Sequence, residues 1–101
     1  MELPKFSFNE EELINLSKKL LVKELYIFGS VLRNDFTSES DIDLLVVFED
    51  SAHYSLFDIM DIKEKYENFF GREVDLVEKD GLRNPYRRET ILNTARKVYV
   101  A

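Results

Sequence analysis

Apolar and polar positions alternate along the chain in blocks of distinct period. From Asn9 onward, Leu13, Ile14, Leu16, Leu20 and Leu21 recur at helical spacing behind a capping-box-like Asn9 and Glu12, which predicts a helix over 10–21. "ELYIF" (24–28) is a short β-rich run halted by Gly29 and reads as a strand. Ser30 to Arg33 suits a short helix, and "NDFTSES" (34–40) is a polar loop of turn formers. "DIDLLVVF" (41–48) is the strongest strand and is apolar on both faces after Asp43, as a central strand would be. A second amphipathic helix is expected from Ser55 to Phe70. Leu56, Ile59, Met60, Ile62 or the Lys63 stem, Tyr66 and Phe70 would line its buried side, and Gly71 would end it. "EVDLVE" (73–78) reads as a third strand. Pro85 opens a helix through about Lys97, and "VYV" (98–100) adds an edge strand. This order implies an α/β (α+β) sandwich of a small sheet and three or four helices, in a single domain over 1–101.

Composition narrows the class. The 101 residues include no cysteine, which excludes a disulfide scaffold, a thiol nucleophile and a Cys-ligated zinc site. No apolar run reaches membrane-span length and the first residues lack a signal peptide's pattern, so a cytoplasmic protein is expected. The formal charge is −6 but uneven: residues 1–80 carry 19 acids against 9 Lys/Arg, whereas Arg83, Arg87, Arg88, Arg96 and Lys97 oppose only Glu89 beyond them. General nucleic-acid binding is disfavoured by such a surface, and a basic partner is favoured. The basic segment suits either phosphates or a solvated helix face.

The chemistry concentrates between two apolar runs. In a strand, Asp41 and Asp43 project to one face. Two carboxylates about 6–7 Å apart repel by roughly 2–3 kcal/mol at an effective dielectric near 20, so water or a cation must offset them. Oxygen-only donors suit a hard cation such as Mg²⁺. Asp75 interrupts an otherwise apolar strand, which suits an acid facing a cleft. Gly29-Ser30 ends a strand and opens a turn whose N–H groups and hydroxyl could meet an anion. Each feature alone has a plain structural reading, as solvated acids or as a turn. Their order on consecutive strands instead fits metal-assisted phosphoryl or nucleotidyl transfer. His53, the one histidine, falls in a predicted loop, and Tyr26, Phe28, Phe57, Tyr66, Phe69 and Phe70 follow core periodicity.

Gly29-Ser30, ten residues, then Asp41-x-Asp43 resembles the signature of the DNA polymerase β-like nucleotidyltransferase superfamily. More narrowly, "FGSVLRNDFTSESDIDLLVVFE" and "GREVDLVEKDGLRNPYRRETILNTARKVYV" resemble the MNT group of minimal nucleotidyltransferases, over about residues 20–101. The resemblance implies a small mixed sheet flanked by helices. It places Gly29, Ser30 and Arg33 at the nucleotide, and Asp41, Asp43 and Asp75 as catalytic, Mg²⁺-holding carboxylates. Asn34 departs from the Gly often found after that Arg, and tolerates the same left-handed turn. It further implies an antitoxin that transfers AMP from ATP to a tyrosine hydroxyl of a HEPN-domain RNase toxin. Such a protein would form hetero-oligomers with its toxin, with a homodimer left open, and would need no direct nucleic acid and no membrane. Two alternatives stand beside this: neutralisation by binding alone, and nucleotidyl transfer to a small molecule.

Overall fold

The computed structural model describes residues 2–3, 6–29, 41–79 and 85–101, with side chains left undescribed at 2, 3, 6, 7 and 85–88. A short hairpin of β1 (Glu2–Leu3) and β2 (Phe6–Ser7) precedes α1 (Glu10–Lys19). Then follow β3 (Val22–Phe28), β4 (Ile42–Phe48), α2 (Leu56–Phe70), β5 (Val74–Glu78), α3 (Pro85–Thr94) and β6 (Arg96–Val100). The main sheet has the order β5-β4-β3-β6. β3 runs antiparallel to both β4 and β6, while β4 and β5 are parallel and joined across α2, so the sheet is mixed. β4 is central, as its two-faced apolar run requires.

Local chemistry sets the element ends. The Asn9 side chain accepts the Glu12 N–H at 2.9 Å and caps α1. Leu21 then takes φ +57, a left-handed turn in which its carbonyl receives the Glu49 N–H at 2.8 Å. Ser55 and Asp58 form a full capping box at the start of α2, and Gly71 closes that helix at φ +70. α3 ends at Thr94, short of the expected Lys97, because the chain turns through Ala95 into a strand that already pairs with β3 at Arg96.

The sheet buries both faces. On one, Leu25, Ile27, Ile42, Leu44, Val46 and Val74 pack under Leu13 of α1 and Ile62 and Tyr66 of α2. The Ser17 hydroxyl and the Tyr66 hydroxyl, both buried, meet at 2.9 Å and join the two helices beneath the sheet. On the other face Phe28 and Leu45 pack against Ile91 of α3, with Tyr26, Val77 and Leu92 at the margin. Leu56, Phe57 and Met60, expected inside, are 74%, 81% and 59% exposed. At 3.6 residues per turn Phe57 lies about 180° from the Ile62–Tyr66 stripe, which reaches the core together with Ile59, Phe69 and Phe70.

Candidate active site

The α3 face of the sheet carries the acids. Asp43 sits at the second position of β4, where it pairs with Phe28 of β3 on one side and Asp75 of β5 on the other. Paired residues share a face, so the Asp43 and Asp75 side chains rise together on strands about 4.8 Å apart. The Ile42 N–H donates to the Glu73 carbonyl at 2.9 Å and fixes this register at the strand ends. Asp43 is half-buried and Asp75 exposed, so the pair stands at the open margin of the Phe28–Leu45–Ile91 cluster.

Gly29 completes this corner. It has φ +78, and a Cβ built on it would overlap the Asp43 carboxylate, lying 3.0 Å from its Cγ and 3.3 Å from its Cβ. Glycine is required here twice, by conformation and by space. The backbone at the end of β3 therefore passes directly against a carboxylate, with no room for a side chain between them. Oxygen donors beside an open backbone turn suit a hard cation and a phosphate.

Asp41 differs from its expected place. It lies one residue before β4, outside the ladder, and is exposed. The sheet thus joins Asp43 to Asp75 and Gly29, while the position of Asp41 depends on the approach to the strand. Among the described residues no three Asp, Glu, His or Cys side chains converge closely enough to hold one ion. Ser30 and Arg33 lie outside the described residues, as do the expected 30–33 helix and the 34–40 loop. His53 is exposed in the β4–α2 loop, in keeping with its plain reading.

A second polar cluster on the same face escapes a motif search. The Tyr26 hydroxyl donates to Glu24 Oε1 at 2.6 Å, and Lys97 Nζ stands 3.4 Å from that oxygen and 5.5 Å from the Tyr26 ring centroid. The Tyr26 hydrogen bond, helped by Lys97, holds the Glu24 carboxyl below its usual value. Burial, then the bond to Glu24, pushes the Tyr26 hydroxyl up. The signal available in sequence was only the two-residue spacing of Glu24 and Tyr26. A separate groove of about 490 Å³ runs between α1 and β6, lined by Ile14, Lys18, Val98 and Val100 among others, away from the carboxylates.

The chain is similar to several known proteins. Residues 10–98 match the nucleotidyltransferase domain model. A candidate protein adenylyltransferase of Methanocaldococcus jannaschii is 35% identical over 86 residues, covering 80% of this chain and 86% of the relative. The protein adenylyltransferase MntA of Thermococcus cleftensis is 36% identical over 69 residues, covering 68% of each. Among solved structures, a candidate minimal nucleotidyltransferase superposes with a TM-score of 0.69 at 35% identity, over 85% of both chains. A toxin–antitoxin complex with AMP-PNP shares the fold at TM-score 0.74 and 19% identity, over 93% of this chain and 75% of that one. So does a Shewanella oneidensis tri-AMPylated HEPN toxin in complex with MNT antitoxin, at TM-score 0.61 and 20% identity, over 91% and 70%.

Proposed function

The chain belongs to the nucleotidyltransferase domain family, and on that footing we propose that it is a Mg²⁺-dependent protein adenylyltransferase antitoxin, which moves AMP from ATP to a tyrosine hydroxyl of a cognate HEPN RNase toxin. Its fold is that of the polymerase β-like nucleotidyltransferases, in the minimal MNT form, and it is a nucleotidyltransferase. The observation that carries the reading is Gly29 laid against the Asp43 carboxylate with Asp75 beside it across the β4–β5 ladder.

In the proposed reaction the tyrosine oxygen attacks the α-phosphorus, the Pα–O bond to the β-phosphate breaks, and pyrophosphate leaves. Gly29 and Ser30 would receive the β/γ phosphates on backbone N–H groups and a hydroxyl, with Arg33 near them. Asp75, exposed at the margin, would accept the tyrosine proton. Asp41 and Asp43 would hold Mg²⁺, with triphosphate oxygens completing its shell; bound there, the ion would neutralise triphosphate charge and make the acceptor hydroxyl more acidic. Support for the acceptor comes from the named relatives, two of which are adenylyltransferases of proteins, and from the tri-AMPylated toxin held by an antitoxin of the same fold.

The test is the intact mass of the protein encoded next to this one, after incubation with this chain, ATP and Mg²⁺. A gain of one or more AMP units, absent with the Asp41→Asn, Asp43→Asn double variant, is expected. Neutralisation by both forms without a mass gain would replace transfer by occlusion. Neither modification nor neutralisation would return the acceptor to the small-molecule class.

A further inference from the structure

The exposed start of α2 is the largest departure from what the fold requires. Leu56, Phe57 and Met60 stand 74%, 81% and 59% exposed. Met60 lies four positions after Leu56 and three after Phe57, so it neighbours both on the helix surface. The segment is also held rigid. The Ser55–Asp58 capping box fixes the helix end. The Tyr54 hydroxyl donates to the Leu20 carbonyl at 2.7 Å, and its ring packs edge-on against Phe48 with centroids 5.1 Å apart. An apolar patch on a preorganised support is a usual form for a binding anchor.

Charge selects what covers it. Residues 49–65 carry Glu49, Asp50, Asp58, Asp61 and Glu64 against Lys63 and Lys65. Both lysines pair along the helix, Lys63 with Glu67 at 3.5 Å and Lys65 with Asp61 at 3.7 Å. At the end of β4 and β5 from which the chain leads into α2, Glu49, Asp50 and Glu78 line a polar hollow of about 270 Å³. A second copy docked here by a two-fold axis would set this acidic segment against itself. Nucleic acid and an anionic membrane surface are repelled for the same reason. A protein surface with an apolar cleft and a basic rim is complementary in both respects.

The patch is remote from the chemistry. Asp43 is the second residue of β4 and Glu49 follows its last, about 20 Å further along at strand rise. α2 begins at that far end and packs on the sheet face opposite to Asp43 and Asp75. A partner seated here would leave the carboxylates open.

We propose that Leu56, Phe57 and Met60, with the Glu49–Asp50–Glu78 hollow, form a docking surface for a basic-rimmed apolar cleft on the acceptor protein. This rests on the proposed function and identifies the acceptor with the HEPN toxin. The surface holds the toxin while its tyrosine reaches Asp43 and Asp75 around the edge of the sheet.

The experiment measures affinity and steady-state AMP transfer with the purified protein encoded next to this one, taken as the toxin, using wild type, Phe57→Glu, Leu56→Glu and Phe57→Leu. Thermal melting and ATP affinity serve as controls. The glutamate variants are expected to weaken toxin binding about tenfold or more and to raise KM for the toxin. Their kcat, ATP affinity and melting temperature stay at wild-type values, and Phe57→Leu retains most of the affinity. Wild-type toxin affinity in both glutamate variants would overturn the docking surface and leave the adenylyltransferase reading standing. A wild-type dimer that Phe57→Glu turns into a monomer without loss of toxin affinity would assign the patch to self-association, and would also overturn it. If wild type neither binds nor modifies the toxin, the proposed function falls first and the docking surface with it.

Discussion

At the scale of single residues, Gly29 and Gly71 form a natural control pair. Both have positive φ, +78 and +70, so alanine strains the backbone at each by about 1 kcal/mol. They differ in what a Cβ would meet: the Asp43 carboxylate at Gly29, and nothing within 4 Å at Gly71. Gly71→Ala is therefore expected to lower stability by about 1 kcal/mol and leave AMP transfer unchanged. Gly29→Ala should displace Asp43 and reduce kcat/KM by about two orders of magnitude, the usual consequence of a misplacement near 1 Å. Equal activity losses in the two variants, read by mass spectrometry of the acceptor alongside denaturant titration, would mean that strain alone explains Gly29. Gly29, Asp43 and Asp75 were readable from sequence because each interrupts an apolar strand or ends one. The place of Asp41 just before the strand was not. A strand pattern of D-x-D shows which face two acids share, but not that the ladder begins only at Ile42.

Among elements, the clearest dependence is between α1 and α2. Ser17 is wholly buried in α1, and its Oγ has Tyr66 of α2 as partner. Removing either hydroxyl leaves the other buried and under-bonded, which costs about 1–3 kcal/mol. Ser17→Ala and Tyr66→Phe should each destabilise within that range, and the double variant by less than their sum, with a coupling of about 1 kcal/mol in urea titrations. Strict additivity would show that the 2.9 Å contact adds nothing to stability. Helical periodicity located both helices within two residues, since each has an apolar stripe and a side-chain cap. It misassigned Leu56 and Met60 because apolar residues wrap most of the way round the first turns of α2. Periodicity cannot tell a core stripe from an anchor patch when both occur on one helix. The β1–β2 hairpin was invisible for another reason: strands of two residues are too short to show alternation. The end of α3 was misplaced because Ala95, Arg96 and Lys97 are good helix formers, and pairing with β3 overrides their propensity.

For the molecule as a whole, the interior under α1 and α2 makes stability sensitive to alkali. Burial, reinforced by the nearby Tyr99 and Tyr54 and only partly offset by the Ser17 bond, pushes the Tyr66 hydroxyl far above the ordinary tyrosine value near 10. Burial also raises Tyr99, with Glu49 adding to it. In the unfolded chain these phenols lose their protons at the ordinary value, whereas the folded chain retains them. Above about pH 10 the folded state binds more protons, so stability is fully present below that pH and falls as pH rises toward the folded values. Tyr66 alone should remove about 1.4 kcal/mol by pH 11. The charge of −6 grows more negative over the same range and adds a general repulsion, so the slope of wild type alone does not identify the residue. Tyr66→Phe does: it starts from lower stability at pH 8, and should then lose about 1.4 kcal/mol less than wild type between pH 8 and pH 11. Identical pH slopes in urea titrations of the two proteins would show that Tyr66 is not held neutral by the fold. The cost of ionising it would then have to be sought in the general charge of the surface.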